Sequence, residues 1–554
     1  MKKAKTTKRT IAVICLLSVL CMMFAGCSGN QSENKEITYS TDKVEFPVKE
    51  DITLKIWTAN VNNAVSNYAE MGCYQKMQED TGIKLEFIHP TAGQVAEQFN
   101  IMIASQEYPD IIERFGASYN GGYAKGYKDG VIYDLNDLVD KFAPNLKGIF
   151  DKYPQVRMAA SSDDGNIYEI PFIRGGGNLK TNRGLVLRKD YLEKFGLAVP
   201  ETMDEWYNVL KTFKENGIEY PFTATSSLFQ KEYFIGAFNI NFGYFVEDGE
   251  VKYGQYDPRY KDYISMMAKW YKEGLLDSEI TINNDSKAMD SKVINSGAGA
   301  FATTLGGGIG GYLTEFEKTN DGRDLIAAPY PVLNKGDTAY IIQRDDTVIS
   351  GSGSSITTGS KHPEYAMAFL DYAFSQKGHM LINFGVENES YTLENGYPKF
   401  TDYVVKNPDG KSMAKAGSEF ARSFTWGTFL QDSRYGEQFY SRPQQQEALK
   451  QWTKTVDKAA EKATVVRGKL SPQETAEIAS MENEIKTYTS EMYSKWITGQ
   501  RDVEKDFPEY IKTLESLGIK QCLEVYQTAH DRYLERYPEM KNAIEIELSS
   551  ELYE

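Results

Sequence analysis

The order of strands and helices in segment 52–112 constrains the fold of this chain more than any other feature. Alternating apolar residues mark strands at 52–57 and 83–87, and apolar residues at helical spacing mark helices at 68–81 and 94–105. A third strand closes the segment. This β-α-β-α-β order predicts a parallel sheet with helices packed on it.

The carboxyl ends of these strands are the expected ligand site, because open sheets of this kind bind ligands there. Trp57 ends the first strand, and a loop at 114–123 follows the third. Tyr119, Asn120 and Tyr123 lie in that loop. We therefore expect these four side chains to contact a ligand, the alternative being that they pack in the core.

The remaining sequence predicts a second α/β lobe and a helical end. A chain of 554 residues is too long for one hydrophobic core, so two or three domains are expected. Strand and helix patterns alternate from 184 to about 345. Capping boxes at Thr202–Glu205 and Ser471–Glu474 predict helix starts, and the last third of the chain is predicted to be helical.

The first 27 residues have the layout of an export signal. Basic residues precede Ile11–Phe24, an apolar run shorter than the about 20 residues that a membrane-spanning helix needs. Small residues and Cys27 follow, in a sequence that resembles the bacterial lipobox, where the cysteine thiol receives a diacylglyceryl group. An ordinary signal peptide is the alternative. We expect a mature lipoprotein anchored through Cys27 to the outer face of the cytoplasmic membrane.

The composition limits the partners of the mature chain. Segment 28–50 is polar and lacks apolar periodicity, which predicts a flexible tether with a root-mean-square reach of roughly 25–30 Å. The formal net charge is −16, and loss of the basic leader makes the chain more acidic still. Nucleic acid and anionic lipid are therefore disfavoured as partners. Contact with the membrane is expected only through the lipid.

Several stretches resemble the family-one extracellular solute-binding proteins of bacterial ABC importers, in particular the long lipoproteins that serve oligosaccharide uptake. The resemblance runs from about residue 50 to the end and rests on the order and spacing of these stretches. They are the lipobox at Cys27 and the segments 103–112, 130–135, 164–171, 187–192, 199–206, 363–372, 385–396 and 523–533.

The resemblance implies an α/β protein with a two-lobed, periplasmic-binding-protein-like fold. Mixed, largely parallel sheets flanked by helices would form two lobes joined by a hinge, with a helical C-terminal region and the ligand in the cleft. The implied boundaries are 1–26 for the signal, 27–50 for the tether, 51–172 plus 346–400 for lobe one, and 173–345 plus 401–554 for lobe two. The implied partner is an ABC permease, to which a monomeric receptor delivers an oligosaccharide.

Two segments of the chain match places where relatives bind calcium or stack a ring on the ligand. Some relatives carry a calcium loop ahead of the segment that matches Tyr220–Phe222, but residues 215–220 are too poor in carboxylates for an oxygen cage, so no metal is expected there. Relatives also place a stacking ring in the loop that matches Ser423–Phe429, which makes Trp426 a candidate. No cofactor is expected.

The ligand residues are predicted from sugar chemistry, since aromatic planes pack on the apolar faces of sugar rings and polar groups fix the hydroxyls. Arg174, beside a predicted hinge, is suited to donate to hydroxyls or to a carboxylate, with an interlobe ion pair as the alternative. The predicted ligand set is Trp57, Tyr119, Asn120, Tyr123, Arg174, Phe229, Tyr233 and Trp426.

Catalysis is not predicted. Gly306, Gly308 and Gly311 match the spacing of a dinucleotide-binding turn, but Ile326 occupies the position of the required acidic residue. A flexible cleft loop with exposed N–H groups is favoured instead. The histidines lack metal-site spacing, and no nucleophile elbow or P-loop occurs.

Three alternatives to an oligosaccharide receptor remain open. The same scaffold could bind a peptide or an acidic sugar polymer. Tighter binding of anionic ligands at low salt would indicate this alternative. A surface enzyme that degrades polysaccharide is the second alternative, because its pair of carboxylates has no sequence signature. The third is an adhesin or sensor partner, whose loss would leave solute uptake intact.

Overall fold

A computed structural model gives the fold of the chain. It describes residues 37–61, 64–162, 165–174, 179, 181–295, 297–340, 348–425, 427–459, 463–464, 466, 468, 470–536 and 538. The predicted signal peptide and Cys27 lie outside these residues, as does Trp426.

The strands fall into four sheets. In chain order they are β1 (Thr53–Trp57), β2 (Lys84–Ile88), β3 (Ile111–Glu113), β4 (Ile170–Arg174), β5 (Arg183–Arg188), β6 (Phe222–Thr223), β7 (Tyr244–Glu247), β8 (Glu250–Tyr253), β9 (Ala300–Thr304), β10 (Leu325–Ala327), β11 (Val348–Ile356), β12 (Tyr391–Glu394), β13 (Tyr397–Phe400), β14 (Leu430–Gln431) and β15 (Ala463–Thr464).

Helices cover both main sheets and form the C-terminal region. They are Gly72–Thr81, Val95–Ser105, Phe115–Ser118, Gly122–Lys128, Asn136–Phe142, Pro144–Lys152, Pro154–Ala160, Lys189–Phe195, Met203–Glu215, Ser226–Phe229, Glu232–Ile235, Tyr260–Lys272, Ser286–Ile294, Gly311–Thr319, Pro363–Tyr372, Gln376–Phe384, Asp402–Val405, Met413–Gly417, Ser433–Phe439, Pro443–Ala459, Pro472–Ile497, Val503–Ser516 and Ile519–Arg536. Both predicted capping boxes, at Thr202 and Ser471, are present and start their helices.

The first sheet has the strand order β14-β4-β11-β3-β1-β2. β1 pairs in parallel with β2 and with β3, as the β-α-β-α-β pattern predicts. β11 returns from the second half of the chain and pairs antiparallel with β3 and β4. β14 adds a parallel edge strand beside β4. We call this sheet and the helices packed on it lobe one.

The second sheet has the order β10-β5-β9-β6 and is not largely parallel. β5 pairs antiparallel with both β9 and β10, while β6 pairs in parallel with β9. The strands are antiparallel because of the path of the chain. It enters this sheet at β5, running away from lobe one, and returns along β9 and β10. We call this sheet, with its helices, lobe two. The predicted two-lobed α/β class is confirmed.

Each lobe has its own core. The core of lobe two includes Trp206, Trp270 and the long C-terminal helices, whose Trp496 is fully buried. These helices bury their apolar stripe against lobe two because an amphipathic helix needs a partner for that face. Segment 401–431, placed with lobe two by the resemblance, instead sends Phe429 and Leu430 into the core of lobe one through β14.

Segment 37–50, inside the range predicted as tether, packs on lobe one. Its apolar side chains lie against the first core, namely Ile37, Tyr39, Val44, Phe46 and Val48. The flexible interpretation is therefore wrong for this part. Composition misses it because a few apolar residues among charged ones fit a pre-existing surface rather than form a periodic element.

Candidate functional site at the interlobe cleft

The chain passes between the lobes three times. It leaves β4 for β5, returns from β10 to β11, and leaves β14 for the helix Pro443–Ala459. That last helix is fixed to lobe two by Trp452, whose indole N–H donates to the carbonyl oxygen of Ala328 at 2.9 Å. All three passages start or end at the same edge of each sheet, so they form a hinge beside an interlobe cleft.

The strand directions define the walls of this cleft. Lobe one presents the carboxyl ends of β1, β3, β4 and β14. β14 is parallel to β4 and β3 is parallel to β1, and β3 and β4 run the same way because β11 is antiparallel to both. Lobe two presents the amino end of β5 and the carboxyl end of β9, which lie side by side because the two strands pair antiparallel. Side chains that follow these strand ends are therefore the ones available to a ligand.

The segment that follows the carboxyl end of β3 carries two predicted ligand residues. The half-buried Tyr119 ring stacks on Phe115 with centroids 4.8 Å apart, and its hydroxyl donates to Asp129 at 2.6 Å. The Tyr123 hydroxyl donates to the carboxylate of Glu169. Asn120 between them is exposed. This loop thus offers aromatic and polar groups together, which suits sugar recognition.

Burial raises the pKa of both tyrosine hydroxyls, and the neighbouring carboxylates Asp129 and Glu169 raise it further. The two phenols are consequently protonated at every physiological pH. They act as hydrogen-bond donors to those carboxylates, which fixes the orientation of the rings.

Other predicted ligand residues are largely buried. Trp57 is 8% exposed and packs edge-to-face on Phe99 at 6.4 Å. Phe229 and Tyr233 are each 2% exposed, and Tyr233 stacks on Tyr330 at 6.0 Å. Their main contacts are thus with lobe cores, and their role in ligand binding remains a prediction.

Arg174 lies at the first passage between the lobes and is 5% exposed. Its Nη1 donates to the carbonyl oxygen of Leu179 at 3.0 Å and lies 3.5 Å from Oε1 of Gln431. These contacts join the first passage to the end of β14, where the third passage begins. A hinge-bracing role therefore accounts for the contacts that surround this guanidinium.

A buried ion pair supports the floor of the cleft on lobe one. Nη2 of Arg422 lies 3.0 Å from Oε2 of Glu113, and their side chains are 1% and 9% exposed. The Thr58 hydroxyl donates to the same carboxylate, and the guanidinium lies 4.3 Å above the ring of Tyr68. Sequence patterns gave no signal for this pair, because 309 residues separate its members.

The Arg422 guanidinium also supports the loop that carries Trp426. A Cβ placed on Gly427 would lie 2.7 Å from Nη2 of Arg422, so the backbone of that loop sits directly on the guanidinium. A larger residue after Trp426 would have to displace this buried guanidinium. The ion pair links the end of β3 to this loop.

His89 at the end of β2 braces the same edge. The backbone N–H of Tyr68 donates to its Nε2 at 3.1 Å, so the ring carries its proton on Nδ1, which donates to the carbonyl oxygen of Thr58 at 2.8 Å. Both ring nitrogens are used by the backbone, which gives His89 a structural role. The described part of the chain contains no group of three or more His, Cys, Asp or Glu side chains arranged to hold a metal ion.

The glycine-rich turn is packed rather than flexible. Leu305–Gly310 forms one π-helical turn after β9. A Cβ on Gly306 would lie 2.4 Å from the ring of Phe439, and Gln445 Nε2 donates to the carbonyl oxygen of Leu305 at 2.7 Å. The glycines therefore let the third passage approach lobe two closely, so the turn is packed at Gly306 rather than flexible there.

Replacing Gly306 with alanine should lower the free energy of unfolding by about 1–3 kcal/mol, because the added methyl group overlaps the Phe439 ring. Gly307→Ala is the matched control, since a Cβ there meets open space. Chemical denaturation of both variants measures the effect. Equal losses would show that the turn geometry, and not the contact with Phe439, requires glycine.

Comparison with known proteins now decides the family. The sequence model of the family described as bacterial extracellular solute-binding protein matches residues 56–380, more than half of the chain. The chain belongs to this family of solute-binding proteins. In the described residues, none of the helices has both the length and the apolar character needed to span a bilayer.

Relatives of this solute-binding protein match between about two thirds and nearly all of its length. A fructooligosaccharide ABC transporter substrate-binding protein, FusA of Streptococcus pneumoniae, is 24% identical over 96% of this chain and 99% of its own. The lipoprotein LipO of Bacillus subtilis is 25% identical over 69% and 73%. The crystal structure of the alginate-binding protein AlgQ2 superposes with a TM-score of 0.72 at 27% identity, covering 90% of this chain and all of that one.

Proposed function

We propose that this protein is the receptor of an ABC importer and captures an oligosaccharide between its lobes. The observation that carries the proposal is full-length similarity, across both lobes and the hinge, to a fructooligosaccharide receptor. The aromatic and polar segment after β3 supports it, because Tyr119 and Tyr123 follow a strand end and donate to the carboxylates of Asp129 and Glu169. Capture would proceed by closure of the lobes about the hinge.

The lipid anchor and the permease partner belong to the same proposal. Similarity to the lipoprotein LipO supports acylation at Cys27. A receptor of this family binds its solute outside the cell, so a monomer held near the membrane would deliver the solute to a permease. ATP would be hydrolysed by another chain. Loss of the protein from the membrane fraction on Cys27→Ala tests the anchor.

An acidic sugar polymer is the second candidate ligand. The structural similarity to an alginate-binding protein at 27% identity favours it. Salt distinguishes the two candidates, because affinity for an anionic sugar falls as the ionic strength rises, whereas affinity for a neutral one does not. The predicted site residues stay the same for both.

A thermal-shift screen of the mature protein against neutral and acidic oligosaccharides tests the function. A ligand at 100 times its dissociation constant should raise the free energy of unfolding by about 2.7 kcal/mol. No shift with any glycan would overturn the sugar proposal. Release of cleaved products during the same incubation would show an enzyme instead of a binding protein.

Tyr119→Ala should weaken the best binder by about 1–2 kcal/mol, roughly 5–30-fold in the dissociation constant, through loss of a stacking face. Tyr119→Phe is the matched control, because it keeps the ring and removes only the hydroxyl that donates to Asp129. Isothermal titration measures both. Unchanged affinity in the alanine variant would remove Tyr119 from the site, and Trp426→Ala tests the other predicted ring in the same assay.

A further inference from the structure

Residues 37–50, which we call the strap, run across the outside of lobe one before β1 begins. One end is held at Tyr39, whose ring packs edge-to-face on Phe142 at 5.1 Å with the Lys141 ammonium 4.6 Å from its centroid. The neighbouring backbone N–H of Ser40 donates to Oε1 of Glu364 at 3.1 Å.

Glu364 is the hydrogen-bond acceptor that fixes this end of the strap. Its side chain is completely buried, and it is the second residue of the helix Pro363–Tyr372. The Ser40 hydroxyl donates to the same carboxylate oxygen as the Ser40 N–H. A buried carboxylate needs such donors, because an unpaired one costs several kcal/mol. The strap therefore supplies two hydrogen-bond donors to one oxygen of a carboxylate in the core of lobe one.

The other end of the strap is held by packing and by the backbone. The Phe46 ring packs edge-to-face on Tyr372 at 5.7 Å. The Val48 N–H donates to the carbonyl oxygen of Thr81 at 2.8 Å, and a Cβ on Gly82 would lie 2.9 Å from the Val48 carbonyl oxygen. These contacts, like those of Tyr39 and Ser40, are all made with lobe one.

The strap lies on the side of lobe one that faces away from the cleft. β11 ends at Ile356, which pairs with Ile111 at the amino end of β3. The helix Pro363–Tyr372 that receives Ser40 starts just after that end. The cleft is at the opposite, carboxyl edge. The chain thus leaves lobe one toward Cys27 from its outer side.

We propose that the strap makes lobe one the membrane-fixed lobe, so that closure swings lobe two relative to the membrane. This inference rests on the proposed lipid at Cys27. The ten residue steps from Cys27 to Ile37 span at most about 36 Å when fully extended. A lobe of roughly 200 residues is about 40 Å across. The anchor therefore keeps lobe one within one lobe diameter of the bilayer.

Within the described residues, lobe two has no segment comparable to the strap. It is joined to the anchored lobe through the three hinge passages that leave β4, β10 and β14. A free tether from Cys27 to β1 would more than double the reach and would allow either lobe to face the membrane. The strap removes that freedom without any contact to the cleft.

Fluorescence quenching on vesicles tests the inference without knowledge of the ligand. The acylated protein is bound to phosphatidylcholine vesicles that contain an acceptor-labelled lipid, with a donor dye on Lys361→Cys in lobe one or on Lys272→Cys in lobe two. Both positions are exposed, whereas Cys73 and Cys522 are buried free thiols. We expect stronger quenching of the lobe-one donor.

Tyr39→Ser with Phe46→Ser should release the strap and abolish the difference between the two donors. Asp42→Ser with Lys49→Ser, both exposed, is the matched control and should keep it. A second variant is needed if the strap variant does not fold. A flexible insertion between Lys35 and Glu36 leaves the strap intact, and the longer tether should also reduce the difference in quenching between the two donors.

The outcomes separate the two proposals. Protein that fails to float with the vesicles would overturn the lipid anchor and with it the inference. Protein that floats but shows equal quenching of both donors would overturn the strap inference alone. Persistence of the difference in a folded strap-release variant would likewise exclude the strap as its cause.

Discussion

Replacing Glu113 with alanine should lower the free energy of unfolding by about 3–5 kcal/mol, the largest effect expected of any single substitution considered for this protein. The change leaves the guanidinium of Arg422 charged in a site where its side chain is 1% exposed. It also removes the acceptor of the Thr58 hydroxyl. Urea denaturation followed by circular dichroism measures the loss.

Two controls separate charge from packing at this pair. Glu113→Gln keeps an acceptor for Thr58 and should cost less than alanine. Combining Glu113→Leu with Arg422→Met removes both charges, so its cost should fall well below that of Glu113→Ala. Stability of Glu113→Ala within about 0.5 kcal/mol of the wild type would show that the pair is dispensable.

Replacing Asp371 with alanine should cost about 2–4 kcal/mol, because this carboxylate caps a helix distant in sequence. Its Oδ1 accepts the Leu146 N–H at 2.8 Å, and its Oδ2 accepts from the side-chain amide of Asn145 at 2.7 Å. These residues lie in the first turn of Pro144–Lys152, whose N–H groups lack partners within the helix. Asp140→Ala, at an exposed position nearby, should change stability by under about 0.5 kcal/mol.

The contribution of Asp371 should depend on pH in a defined direction. Burial raises the pKa of its carboxyl from 3.8 to about 6, although the N–H donors of Leu146 and Asn145 oppose the rise. The folded protein therefore holds this proton more tightly than the unfolded chain. The stability that results is present below about pH 4 and is lost as the pH rises through 6.

Comparison of the wild type with Asp371→Asn isolates this residue from the other carboxylates. The advantage of the wild type should be greater at pH 4 than at pH 7 by up to about 3 kcal/mol. Denaturation curves of both proteins at the two pH values measure the difference. A difference that does not change with pH would contradict the shifted titration of Asp371.

Features set by neighbouring residues could be predicted from the sequence. The parallel arrangement of β1, β2 and β3, the capping boxes at Thr202 and Ser471, and the buried helix Pro363–Tyr372 all follow from local apolar periodicity or from side-chain caps. The two-lobed class followed from the order of such elements together with the family resemblance.

The candidate ligand residues stay a prediction, because residue type does not reveal burial. Tyr119 and Tyr123 are only partly buried, whereas Phe229 and Tyr233 pack in the core of lobe two. All four have aromatic side chains in or next to loops. Only the packing of neighbouring elements decides which ring faces a ligand.

The sequence by itself thus determined the local elements, the family and the expected route out of the cell. The tertiary structure alone decided the Glu113–Arg422 pair, the packed glycine turn at 305–310 and the strap on lobe one. Each of these depends on contacts between segments far apart in the chain, and no spacing along the sequence records which distant surfaces meet. Hence the proposed link between the anchor and lobe one, like the Glu113–Arg422 pair, could be inferred only from the folded molecule.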